Sequence, residues 1–291
     1  MEAAGRRWVG REELEGLCGA RLSGASLPGL WTAGALDGLY APCVAIVGTR
    51  APSDDGRRRA RRLAEELAGA GVCVVSGLAL GIDGAAHEGA LAARAPTIAV
   101  LGGGHDHVFP PRHRELATRI AAGGGAVVSP FAPEVVPQPW QFLARNGVIA
   151  ALADAVVVVE AAARSGALNT AGHAADLGVP VLAFPGDVER PKAAGCNALI
   201  RDGATLVRDA ADVLSALPAL APAAPQRARA SQADDPPPVR RVLAALAEGT
   251  REAASLADRV ALGPSELSSI LGELEATGRI ERGSDGYALI R

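Results

Sequence analysis

The chain has few aromatic residues, 3% of 291. A core without them must be assembled from Val, Leu, Ile and Ala. Lysine is nearly absent. Of 29 basic residues only Lys192 is a lysine, a bias that reflects genome composition before function. Neither sign of charge dominates. The formal net charge is -3, so no long-range field draws in a polyanion, and a nucleic-acid ligand would need a local basic patch. Cysteine is scarce, and Cys18, Cys43, Cys73 and Cys196 show no paired spacing. That excludes a zinc ribbon or a disulfide framework and points to a reduced, cytoplasmic setting. No signal peptide is expected. The longest apolar region, 148–163, is broken by Asp154, so no membrane span is expected.

What the chain does have is a repeated unit. Val44, Ala45, Ile46 and Val47 form a short apolar run that ends in Gly48, Thr49 and Arg50. Turn-forming residues fill 51–56, and the spacing of Ala60, Leu63, Ala64 and Leu67 predicts a helix from 57 to 70. Similar strand–glycine–helix units follow. Strands are expected at 72–76, 97–101, 126–129, 155–159 and 181–184, with a seventh at 205–207. Asp83 is expected to cap the helix that runs to about Arg94. A helix over 141–152 carries Arg145 and Asn146. This alternation predicts an α/β fold, an extended Rossmann-like parallel sheet, with the carboxyl ends of its strands along one edge.

The segment 218–238 is rich in Ala, Pro and Gln and reads as a linker. Beyond it, three short helices and a hairpin form a C-terminal winged-helix pattern. The expected organisation is a short lead-in over 1–40, the core over 41–217, the linker over 218–238 and the winged-helix domain over 239–291.

Glycine loops that feed helix N-termini present backbone N–H groups and the positive end of the helix dipole to an anion. Here several such loops share an edge and carry hydroxyls. The expected phosphate-binding set is Gly48, Thr49, Arg50, Ser76, Gly77, Gly81, Gly102, Gly103, Arg145, Asn146, Ser165, Gly166, Asn169 and Thr170. Arg50 and Arg145 are favoured as phosphate contacts, each emerging from a glycine or proline loop. Arg57 to Arg59 stand near the same crevice. Arg61 and Arg62 precede Glu65 and Glu66 by four residues and are expected to pair with them.

Other chemistries lack their motifs. Lys192 has no Walker-type setting, and Gly48 is not in a Gly-x-Gly-x-x-Gly run, so no nucleotide cofactor is expected. His87, His105 and His107 have no metal-ligand spacing, so no metal is expected either. Glu160 closes a buried strand at the crevice edge. A catalytic carboxylate there is weighed against a residue that fixes the neighbouring loop, and the second is preferred.

These residues resemble the DprA/Smf family, the DNA-processing protein A of bacteria. The resemblance covers roughly 30–214. It rests on 44–50, on the run 75–91 around Gly77, Gly81, Asp83 and His87, and on Gly102 to Gly104 with Asp106 and Pro110. Further on it rests on Val158 to Ala161, on Ser165 to Ala171, and on Pro185 and Gly186 with Asn197. It implies a single-stranded DNA ligand in the crevice, a homodimer, delivery of the strand to RecA and no catalytic reaction. The chain departs from the family pattern at Gly147, where an arginine is usual, at Pro130 beside Ser129, and at Asp54 and Asp55. The helical domain that often precedes the core is shortened or absent. Two alternatives remain. One is a nucleotide phosphoribohydrolase of the lysine-decarboxylase-like Rossmann group, whose Pro-Gly-Gly-x-Gly-Thr run is missing here. The other is a nucleotide-binding sensor acting through the winged helix.

Overall fold

The computed structural model describes residues 5–217, 236–247, 253–260, 262–276, 280–283 and 286–289. The chain divides into two compact units, Met1–Ala219 and Leu220–Arg291.

In the first unit the short apolar runs are strands: β3 (Cys43–Val47), β4 (Cys73–Ser76), β5 (Thr97–Val100), β6 (Ala126–Ser129) and β7 (Ala155–Val158). They are buried at every position. Continuous burial is what parallel strands require when helices cover both faces. β8 (Val181–Ala183) and β9 (Thr205–Leu206) extend one edge, and β1 (Arg6–Gly10) and β2 (Gly29–Gly34) extend the other. The sheet has nine strands in the order β1-β2-β6-β5-β4-β3-β7-β8-β9. The pairs from β6 through to β9 are parallel, and those made by β2 are antiparallel.

Alternate residues of each strand feed opposite layers. Ala45, Val47, Val156 and Val158 pack with α1 (Arg11–Cys18), α5 (Pro139–Ala151), α6 (Gly166–Asp176) and α7 (Ala194–Arg201). Val44, Ile46, Val74 and Val157 pack with α2 (Asp54–Gly69), α3 (Ile82–Ala92) and α8 (Ala210–Ala216). On that same face α4 (Arg114–Ala122) covers Ala99 and Val127. Aliphatic burial carries this unit. Truncating a fully buried residue such as Ile46 to alanine costs about 2–5 kcal/mol at such sites.

Of the stretch expected as a lead-in over 1–40, the described residues 5–40 contribute two strands to the sheet. β1 pairs with β2 so that Trp8 faces Trp31, with ring centroids 5.7 Å apart. Arg21 straps this segment to the core. Its guanidinium donates to the carbonyls of Cys18 (3.0 Å), Ala41 (3.2 Å) and Leu39, and lies 3.4 Å from the Asp154 carboxylate. Asp154 in turn accepts from the Cys43 N–H at 2.7 Å.

Two local expectations change. The helix expected from 57 begins at Asp54, because the Ser53 hydroxyl caps it by accepting from the Gly56 N–H at 3.0 Å. Asp83 is not the cap of α3. Gly81 holds that place at φ 83°, in the left-handed region that glycine tolerates, and Asp83 lies in the first turn.

The second unit contains α9 (Pro237–Ala247), α10 (Ala253–Val260) and α11 (Pro264–Ala276). The antiparallel pair β10 (Ile280–Gly283) and β11 (Gly286–Leu289) follows. Leu267, Ile270, Leu271 and Leu274 of α11 share a core with Val242 and Leu256, as their helical spacing requires. The segment 218–235, most of the expected linker, lies outside the described residues.

Candidate functional site

The strand order reverses between β3 and β7. From β3 the chain steps outward to β6, then crosses back to β7 and steps the other way. In open α/β sheets the crevice beyond the carboxyl ends at such a reversal is where ligands bind. A cavity of about 360 Å³ lies there. Its lining includes Gly48, Arg50, Arg145, Asn146, Ser165, Gly166 and Thr170 from the expected set, together with Asp83, Phe142 and Leu143.

The floor is polar, buried and internally bonded. Arg145 is only 3% exposed and comes from the middle of α5, not from a loop. Its guanidinium donates to the carbonyls of Gly77 and Val100, tying α5 to the ends of β4 and β5. Burial pushes the Arg145 pKa down to about 10, and the nearby Asp83 carboxylate resists that shift. The Asp83 carboxylate accepts from the N–H groups of Gly77 (3.2 Å) and Ala79 (3.4 Å). Burial holds its pKa above the usual carboxylate range, against the opposing pull of Arg145. A methyl group at position 77 would run into the Arg145 guanidinium, so glycine is needed there for close approach. The expectation of Arg145 as a projecting phosphate finger is therefore corrected. A helix residue faces where its helix packs, and this one faces inward.

The rim is open. Arg50 is exposed where β3 ends, with its guanidinium 5.6 Å from the centroid of Phe142. Its charge has no carboxylate partner within ion-pairing distance among the described residues. The start of α6 also lines the cavity, and its cap is Ser165, whose hydroxyl accepts from the Ala167 N–H at 3.3 Å. Asn146 donates to the Gly166 carbonyl (3.3 Å) and to Asn169 Oδ1 (3.1 Å), which fixes that helix start against α5. Asn169 therefore acts behind the lining.

Other expected residues support the loops. Ser76 is fully buried and donates to the Ile46 carbonyl at 2.6 Å. The Thr49 hydroxyl accepts from the Ala51 N–H at 3.2 Å. Gly81 packs against the backbone of Thr49 and Arg50, Gly102 against the Phe142 ring, and Gly103 against Pro137. Arg58 pairs with Asp55, and Arg59 stacks over Phe184 at 5.1 Å. Of the expected helical pairs, Arg62–Glu66 forms at 3.2 Å.

Glu160 fixes the neighbouring loop. Its carboxylate accepts from the Ser53 N–H (2.9 Å) and the Ser53 hydroxyl (2.5 Å), and its carbonyl accepts from the Thr49 N–H (2.8 Å). The histidines serve packing. His87 bonds Thr97 Oγ1 at 2.9 Å, and His105 donates from Nε2 to the Val127 carbonyl at 2.9 Å. No group of three His, Cys, Asp or Glu that could hold a metal occurs among the described residues.

A family model described as DNA recombination-mediator protein A matches residues 23–218. The chain belongs to that family, DprA/Smf. A second model, the DprA winged helix domain, matches residues 221–286. The chain is 38% identical to Protein Smf of Escherichia coli (strain K12) over 276 residues, which is 93% of this chain and 74% of that protein. It resembles the X-ray structure of DprA from Streptococcus pneumoniae at 36% identity, with a TM-score of 0.67, covering 73% of this chain and 74% of that one. It also resembles DNA processing protein A from Helicobacter pylori, described for its single-stranded DNA binding mode. That likeness has 27% identity and a TM-score of 0.64, and covers 74% of this chain and 97% of that one.

The aromatic groups at the rim were missed in the sequence. Phe142 stands under Arg50, Phe109 lies 5.6 Å from Phe142, and Phe131 lies 5.8 Å from Trp140. Their scarcity elsewhere was the clue: four of the chain's few aromatics fall between 109 and 142.

Proposed function

We propose that this chain binds single-stranded DNA in the crevice at the β3–β7 reversal. One observation carries the reading: Arg50, without a carboxylate partner among the described residues, and the N-terminus of α6 line the same cavity. An arginine fork and a helix start both attract phosphate oxygens. Phe142, beneath Arg50, adds an aromatic ring to the same cavity, the kind of side chain on which bases stack. The binding that the H. pylori relative is described for supports the same ligand. With its family membership, the chain fits a role in DNA processing: as a cytoplasmic homodimer it hands the strand to RecA during recombination or DNA uptake.

The site binds without turnover. Glu160, the carboxylate weighed for a hydrolase, is occupied by Ser53, and the Asp83 carboxylate in the cavity is held by the Gly77 and Ala79 N–H groups. Purified protein should leave AMP, ATP and DNA intact, and product scaling with protein concentration would contradict this. The binding reading is tested by fluorescence anisotropy with an oligo-dT. Arg50→Ala should weaken binding about tenfold, the scale of one charge-assisted contact, and affinity should fall as salt rises. Unchanged affinity in Arg50→Glu would remove the proposed site.

A further inference from the structure

Trp140 is the most exposed of the large aromatics near the crevice. It is 62% exposed and lies in the first turn of α5. Helical spacing puts it on one face with Leu143, three residues on, which is 52% exposed and lines the cavity. The Trp140 ring meets Phe131 edge-on, with an interplanar angle of 89°, so its orientation is set while much of its surface faces solvent. Phe109, 49% exposed, stands against Phe142 on the same rim. Apolar surface thus runs from the cavity outward along the start of α5. A soluble chain this short of aromatics has little reason to expose so many of them in one place unless something flat covers them.

We propose that Trp140 is a base-stacking station for the DNA strand, one step beyond Phe142 on the outer rim of the crevice. The inference rests on the strand-binding reading above. With a net charge of -3, this chain cannot hold a polyanion by long-range attraction. Stacking on an aromatic face is the complementary device, since it tolerates any sequence and resists salt. Arg50 supplies a phosphate fork, and Phe142 and Trp140 supply rings, the two kinds of contact a single strand takes. The bound strand therefore leaves the cavity over the first turn of α5.

The test uses the full chain and two oligonucleotides of equal length and charge, one of thymidines and one of abasic units. Trp140→Ala should bind oligo-dT about tenfold more weakly than the wild type, and Trp140→Phe should recover most of the loss. The abasic oligomer should bind both the wild type and Trp140→Ala weakly, with little difference between them. Oligo-dT should quench tryptophan fluorescence in the wild type but not in Trp140→Ala, which retains Trp8 and Trp31. Wild-type affinity for oligo-dT in Trp140→Ala, or quenching that persists in it, would overturn the proposal while leaving the strand-binding site intact. That outcome would assign the patch to a protein partner. Absence of any oligonucleotide binding by the wild type would overturn the proposal and the parent reading together.

Discussion

Floor and rim of the crevice use the same residue type in opposite ways. Arg145, in the floor, is buried, bonded to two carbonyls and balanced by Asp83. Arg50, on the rim, is exposed and stacks on Phe142. The first holds the glycine loop after β4 in place, and the second opens on the cavity. Residue type and loop motif identify both as candidates, but only packing separates support from contact.

The strongest way to break this comparison is to exchange the outcomes. Arg145→Ala removes the donor to two buried carbonyls and the charge that balances the buried Asp83 carboxylate, and should destabilise the fold by about 3–5 kcal/mol. Arg50→Ala should shift stability by less than about 0.5 kcal/mol. Denaturant unfolding measures both, and a small effect at Arg145 would dissolve the distinction.

Acid sharpens it next. Burial, with the charges of His113 and Arg145, holds the His87 pKa down to about 3, below its ordinary 6.5. The unfolded chain then takes up a proton that the folded chain refuses. Stability is full above pH 6.5 and falls continuously as the pH drops toward 3. Between pH 6.5 and 4.5 the loss from this group should be about 2–3 kcal/mol. His87→Gln should flatten that slope, which unfolding curves at several pH values would show. An unchanged slope would mean that His87 charges in the folded state.

Salt tests the rim alone. Raising ionic strength should weaken oligonucleotide binding, and Arg50→Ala should make that dependence shallower by about one released counterion. A slope unchanged in the variant would place the phosphate contact elsewhere. The smallest expected effect lies outside both regions. The segment 236–291 carries seven arginines against eight acidic residues, and α11 exposes Glu266 and Glu275. Removing 231–291 should change affinity for the strand less than about twofold, at the scale of a module that does not touch phosphate. Loss of binding by a folded core would overturn that charge argument.

Much of the fold was legible because the signals were local. The apolar runs at 44–47, 126–129 and 155–158 are strands wherever helices cover them. β1 was not legible. Arg6, Arg7 and Trp8 form no apolar run, and the strand exists through its pairing with Trp31 and its neighbours. Within the site, the edge shared by the glycine loops followed from parallel topology. The inward turn of Arg145 did not, since it depends on how α5 meets β4 and β5. Gly81 and Ser76 pack against the protein, because tight turns at a sheet edge need the same residues that an anion would.

The Ser53–Glu160 contact sits across the seam where the two halves of the sheet diverge. The β3–β7 ladder runs past its strand ends through Val159 N–H to Val47 (3.0 Å) and Thr49 N–H to Glu160 (2.8 Å), and the side-chain clasp closes it. A seam bolted in this way cannot serve as a hinge. Tension on a strand held in the crevice should therefore load several of these bonds at once, while the proposed outer stacking surface should yield one nucleotide at a time. The strand should leave by peeling from its free end inward, with the cradle keeping its shape throughout.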